Sequence, residues 1–212
     1  MTLATDWVTI SALATAAGTL VLALATFASV RSANRAARVA ERSLLVGLRP
    51  LLIPSRLDDP PVKVTFVEER YLVAPGGAAV AEANDGAVLL AAALRNVGSG
   101  IAVLHGWHFY PELVTAAEHL APGEFTRFTR DIFIAPGEVG FWQGTFRDPA
   151  APAFADARRA VEAHDSWTIE VLYGDAEGGQ RMISRYAMLA HEDGKWLASA
   201  GRHWYVDRDG PR

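Results

Sequence analysis

Cysteine is absent from this 212-residue chain, which excludes disulfides, thiol catalysis and cysteine-held metal. The absence agrees with a cytoplasmic domain but is weak evidence for location. Lysine is nearly absent too: Lys63 and Lys195 are the only two among 20 basic residues, an Arg and Ala bias that reads as the codon supply of a high-GC bacterial genome. No charged residue occurs from Trp7 to Val30, and no proline before Pro50. Missing as well are the GxxxxGK[ST] phosphate loop, the HExxH zinc helix and the GxSxG nucleophile elbow.

The uncharged run is the most informative stretch. As a helix it rises about 35 Å, enough to cross a hydrocarbon core about 30 Å thick. Its Leu, Val, Ile and Phe residues each favour insertion by about 0.3–0.6 kcal/mol near the helix centre, while Ala, Thr, Ser and Gly18 keep the margin modest. A cleaved secretory signal needs positive charge ahead of the apolar run, and only Asp6 stands there. Arg31, Arg35, Arg38, Arg42 and Arg49 all follow the run, so the positive-inside bias predicts an external N-terminus and a cytoplasmic C-terminal side. The expected location is the inner or plasma membrane, with the lipid bilayer as first partner.

Residues 1–6 are expected as a short external N-terminus, 7–30 as the span and 31–49 as an Arg-rich juxtamembrane helix ending at Arg49-Pro50. Arg31, Arg35, Arg38 and Arg42 share one side of that helix, as a topology signal or as contacts for anionic headgroups. On the other side Ala16, Ala23, Val30, Ala33, Ala37, Ala40 and Leu44 recur in steps of three, four and seven. Small residues allow close backbone approach, so this stripe is a candidate seam for a second copy or a partner membrane protein; a monomeric helix is the plain alternative.

Residues 50–212 hold 15 basic and 22 acidic side chains, a net of −7, against a net of +4 over residues 31–49. An acidic domain is a poor nucleic-acid binder, because phosphate neutralisation needs clustered cations. Its length suits one core. Short apolar or alternating runs between Pro, Gly and Asp predict an immunoglobulin-like antiparallel β-sandwich. Strands are expected over 51–53, 62–67, 88–97, 101–110, 125–134, 139–146, 167–173, 182–190 and 196–205, with a short helix near 152–164. Residues 74–86, rich in Ala and Gly, read as a loop or irregular hairpin. In the run from Trp167, residues 167, 169, 171 and 173 share an inward face opposite Thr168 and Glu170.

Asp193-Gly194 suits a two-residue type I′ hairpin with Glu192 facing Lys195. That register sets Arg185 opposite Arg202, a candidate anion site unless a bulge or an acid separates them. His105 and His108, three apart on a strand, are expected on opposite faces and so make a poor metal pair. Asp175 and Glu177 lack the ligand count of a calcium loop. Asn96, Gly98 and Gly100 read as a corner between strands. Six Trp residues invite a carbohydrate platform, but Trp7 suits an interfacial anchor and the others a core. No triad can be assigned from Ser99, Ser166, Ser184 and Ser199 with the six His. No cofactor, metal or catalytic residue is expected.

The span, the Leu48-Arg49-Pro50 helix end, the Arg95-Asn-Val-Gly-Ser-Gly100 corner and the Tyr173-Gly-Asp175 turn together resemble uncharacterised bacterial single-pass membrane proteins with a C-terminal β-sandwich. The resemblance implies that architecture and no activity. The reading expected is a membrane-anchored cytoplasmic interaction or scaffolding module without catalysis. An extracytoplasmic envelope or carbohydrate-binding module is the alternative, and a hydrolase the third.

Overall fold

The computed structural model describes residues 3–67, 70–84 and 86–207, with residues 3–6 and 42 described by backbone alone. The chain divides into two units, Met1–Leu45 and Val46–Arg212. The first is helix α1, Leu3–Gly47, which runs unbroken from the uncharged stretch into the Arg-rich one as expected. Its 45 residues span about 68 Å at about 1.5 Å each. Proline is absent, and Ala, Leu and Arg favour the helix throughout. The hydroxyls of Ser11, Thr15, Thr19 and Thr26 bond carbonyls three or four residues back, so these four side chains need no water.

Among its described residues the second unit has eleven strands and one α-helix: β1 Leu52–Pro54, β2 Val62–Thr65, β3 Tyr71–Ala74, β4 Ala78–Ala83, β5 Val88–Asn96, β6 Ala102–Tyr110, β7 Thr126–Ile134, β8 Val139–Phe146, α2 Pro152–Glu162, β9 Trp167–Asp175, β10 Arg181–Ala190 and β11 Trp196–Tyr205. Nine strands form one antiparallel path, β8-β5-β4-β11-β10-β9-β6-β7, with β1 beside β4 on the same edge of β5. The expected mostly β, sandwich-like architecture is present, made from one sheet folded over rather than two separate sheets. Strands β2 and β3 form a separate hairpin.

The inner faces meet around Trp107, Trp142, Trp167, Tyr173 and Tyr186. Helix α2 closes one end with Phe154, Ala157 and Ala160 buried and Val161 half-buried beside them. Two outer faces are covered as well. The β2–β3 hairpin packs Val64 and Leu72 over Leu89 and Ala91, so β5 is buried on both sides. Residues 111–125 lie over β9 and β10 and bury Thr168 and Glu170, the side of β9 opposite the expected inward face.

Three local expectations change. Within residues 74–86, expected as a loop or irregular hairpin, Ala78–Ala83 is strand β4, its low β-propensity overridden by ladders to β5 and β11. The β10–β11 turn is a three-residue loop, because Asp193 accepts from the Lys195 backbone N–H and from Nζ of Lys195, and Gly194 takes φ +79°. Lys195 therefore pairs with Asp193 rather than Glu192. The ladder is then offset by one residue, and a bulge at Gly201 restores Arg185 opposite Arg202.

The Asn96–Gly100 corner forms as expected. Asn96 is fully buried and saturated: its Oδ1 accepts from the N–H groups of Leu51 and Gly98, and its Nδ2 donates to the carbonyls of Gly100 and Ile134. A Cβ on Gly100 would stand 1.8 Å from the Leu48 carbonyl, so only glycine admits the segment that leads out of α1.

Candidate ligand cleft and buried charge pair

On α1, Arg31, Arg35 and Arg38 are exposed, and Arg38 bonds the Asn34 carbonyl; the side chain of Arg42 lies outside those described. Ala16, Ala23, Val30, Ala33, Ala37 and Ala40 are exposed along the helix, as is Leu44. Arg49 behaves differently. Its Nε donates to Gln180, its Nη1 to the Tyr205 hydroxyl, and its guanidinium lies 4.6 Å from the Tyr205 ring centroid.

Arg185 and Arg202 are brought opposite each other and then separated by partner choice. Arg202 is exposed, whereas Arg185 turns to its neighbour on β9, Glu170, with side chains 4% and 0% exposed. Arg185 Nε and Nη2 reach Glu170 Oε1 at 2.9 and 2.5 Å. Its Nη1 and Nη2 also donate to the carbonyls of Ala116 and Glu118, and its guanidinium lies 4.9 Å from the Trp204 ring. Glu170 Oε2 accepts from the Leu120 N–H and the Tyr110 hydroxyl. The pair is thus neutralised and its donors are committed to holding the 111–125 strap.

His105 and His108 also differ from expectation. A bulge between Leu104 and Gly106 turns both imidazoles to the outer face of β6, while Leu104 and Trp107 point inward. No group of three His, Cys, Asp or Glu arranged to hold a metal occurs among the described residues. Asp175 caps its own turn, accepting from the Gly179 N–H and from Gln180.

Ser184 is the serine that meets a histidine: its Oγ is 2.6 Å from His203 Nδ1. It is fully buried and also lies 2.8 Å from the Tyr173 hydroxyl, which accepts from the Leu52 N–H. Burial pushes the Tyr173 hydroxyl up to about 12, so it stays protonated. This chain ties β1 to β9 and β10, with its serine fully buried.

The same bulge system produces a cleft that sequence reasoning missed. Across from His105, the β6–β7 ladder jumps from Ile132 to Arg127, leaving residues 128–131 without partners on β6. Strands β7 and β8 are the two ends of the sheet path and no ladder joins them among the described residues. Between them lies a cleft of about 420 Å³ with Trp107 and Phe128 among its lining and Arg127, Arg130 and Arg147 around it. Arg130 Nη2 donates to the Thr65 carbonyl and to Gln143 Oε1, and its guanidinium lies 5.7 Å from the Phe141 ring. The local run Thr126-Arg-Phe-Thr-Arg130 was visible in sequence; its juxtaposition with Arg147 depends on how the sheet ends meet.

No family model, curated protein or solved structure matches this chain. Among the described residues one helix, within Trp7–Gly47, is long and apolar enough to cross a membrane, and a mostly β domain follows it.

Proposed function

We propose that this is a bacterial single-pass membrane protein whose sandwich-like domain works as an interaction module at the cytoplasmic face, much as immunoglobulin-like modules offer loops and edges to partners. The observation that carries the reading is the exposed, uncharged stretch of α1 followed only on its C-terminal side by arginine. The anchor concentrates the domain at the bilayer, and the small-residue stripe from Ala16 to Leu44 lets α1 pair with a second copy or a partner helix.

Reporters active on only one side of the membrane, fused after Arg212, test the orientation. Activity of the cytoplasmic reporter with protease protection of the domain in intact spheroplasts is expected. An external domain sinks the reading and moves envelope and carbohydrate ligands to the front. Full partner engagement by the domain released as a soluble monomer overturns the role of the anchor.

A further inference from the structure

We propose that His203, Ser184 and Tyr173 form a hydrogen-bond relay that locks strand β1 to the sheet while His203 is neutral and loosens it when acid protonates that ring. The relay runs from the surface into the core. His203 on β11 is exposed, and its Nδ1 lies 2.6 Å from Ser184 Oγ on β10. Ser184 Oγ lies 2.8 Å from the Tyr173 hydroxyl on β9, which accepts from the Leu52 N–H of β1 at 3.2 Å. Ser184, Tyr173 and Leu52 are fully buried, so their hydrogen bonds are made within the protein.

Counting hydrogens fixes the direction of the relay. The Leu52 N–H takes one acceptor site on the Tyr173 oxygen, and the hydrogen of Tyr173 has Ser184 Oγ as its acceptor. The hydrogen of Ser184 is then left for His203 Nδ1, which must offer a lone pair. Neutral imidazole with its hydrogen on Nε2 meets that requirement; imidazolium, a donor at both nitrogens, does not. Protonation makes His203 a second donor to Ser184, and the serine's own hydrogen has to leave. Ser184 adjoins two tyrosines, Tyr173 and Tyr186, and Tyr186 donates to the Leu52 carbonyl. Both polar groups of Leu52 are thus held by the hydroxyls that the displaced hydrogen reaches. Strand β1 is three residues long and its ladder is to β5, so those hydroxyls are its ties to β9 and β10.

The titratable and charged groups around the relay are Tyr173 on β9, Tyr186 on β10, Arg202 and Tyr205 on β11, and Arg49 ahead of β1, whose Nη1 donates to Tyr205. No carboxylate bonds His203 among the described residues, and partial burial holds its pKa below the ordinary imidazole value. With a lowered folded pKa the lock is complete above about pH 6.5 and is lost as pH falls through the folded value.

The test is amide hydrogen exchange of the full chain in phosphatidylcholine nanodiscs, read by mass spectrometry from about pH 7.5 to about pH 4.5 and corrected for intrinsic exchange. Protection over residues 51–55 is expected to fall about tenfold across that range, while helix α2 keeps its protection. His203→Gln, whose side-chain oxygen accepts from Ser184 without titrating, should hold the neutral level throughout. Tyr173→Phe should lower protection over 51–55 already at about pH 7.5 and remove most of its pH dependence. A pH-independent 51–55 segment in the unaltered chain, the same acid response in His203→Gln or in Tyr173→Phe, or an equal loss over 51–55 and α2 overturns the proposal. None of these results depends on which compartment holds the domain.

Discussion

Glu170 and Arg185 face each other across β9 and β10 with almost no exposed side-chain surface, and the strap over them supplies the remaining partners. Removing one charge from such a pair strands the other in low dielectric. Glu170→Ala is therefore expected to lower stability by about 3–5 kcal/mol, read as a fall in the urea midpoint. The double variant Glu170→Met with Arg185→Met should recover most of that loss, because no charge is then left uncompensated. A double variant as unstable as Glu170→Ala would show that the strap's carbonyls at Ala116 and Glu118, rather than the ion pair, carry the cost. Asp193 shows the same rule in a turn: one carboxylate placed to collect neighbouring donors decides the loop type where Gly194 alone permits two.

Strand β6 owes its character to one bulge. By turning His105 and His108 to the same outer side, the bulge places both rings in partial burial, which holds their pKa values below the ordinary imidazole value; Arg181 adds to the effect at His105. A histidine with a lowered folded pKa binds fewer protons folded than unfolded. Its contribution is thus complete above about pH 6.5 and is lost as pH falls through the folded values. The urea midpoint should be lower at about pH 5.5 than at about pH 7.5, and a variant with His105→Gln and His108→Gln should lose much of that difference. An unchanged pH dependence in that variant would assign the acid sensitivity to other groups. The bulge also frees residues 128–131 from the ladder, so the histidine placement and the cleft have one structural origin.

Across the whole molecule, the buried apolar clusters lie within residues 52–206, and α1 up to Leu45 forms a unit of its own. Residues 46–212 expressed alone are therefore expected to melt in one cooperative transition at about the temperature of the domain in the full chain. A melt lower by about 10 °C or more would mean that α1 contributes to the domain's stability. The sequence by itself determined the uncharged helix and its arginine flank, the mostly β class, the corner at Asn96 and the presence of α2. Each depends on hydrophobic period, proline, glycine or charge within one stretch of chain. Only the tertiary structure decided that Ala78–Ala83 is a strand, that both faces of β9 are buried, that Arg185 meets Glu170, and that Arg127, Arg130 and Arg147 gather at one seam. Those outcomes depend on which distant strands become neighbours and how one sheet folds back on itself, and a single bulged residue reverses the side on which every later residue of a strand points.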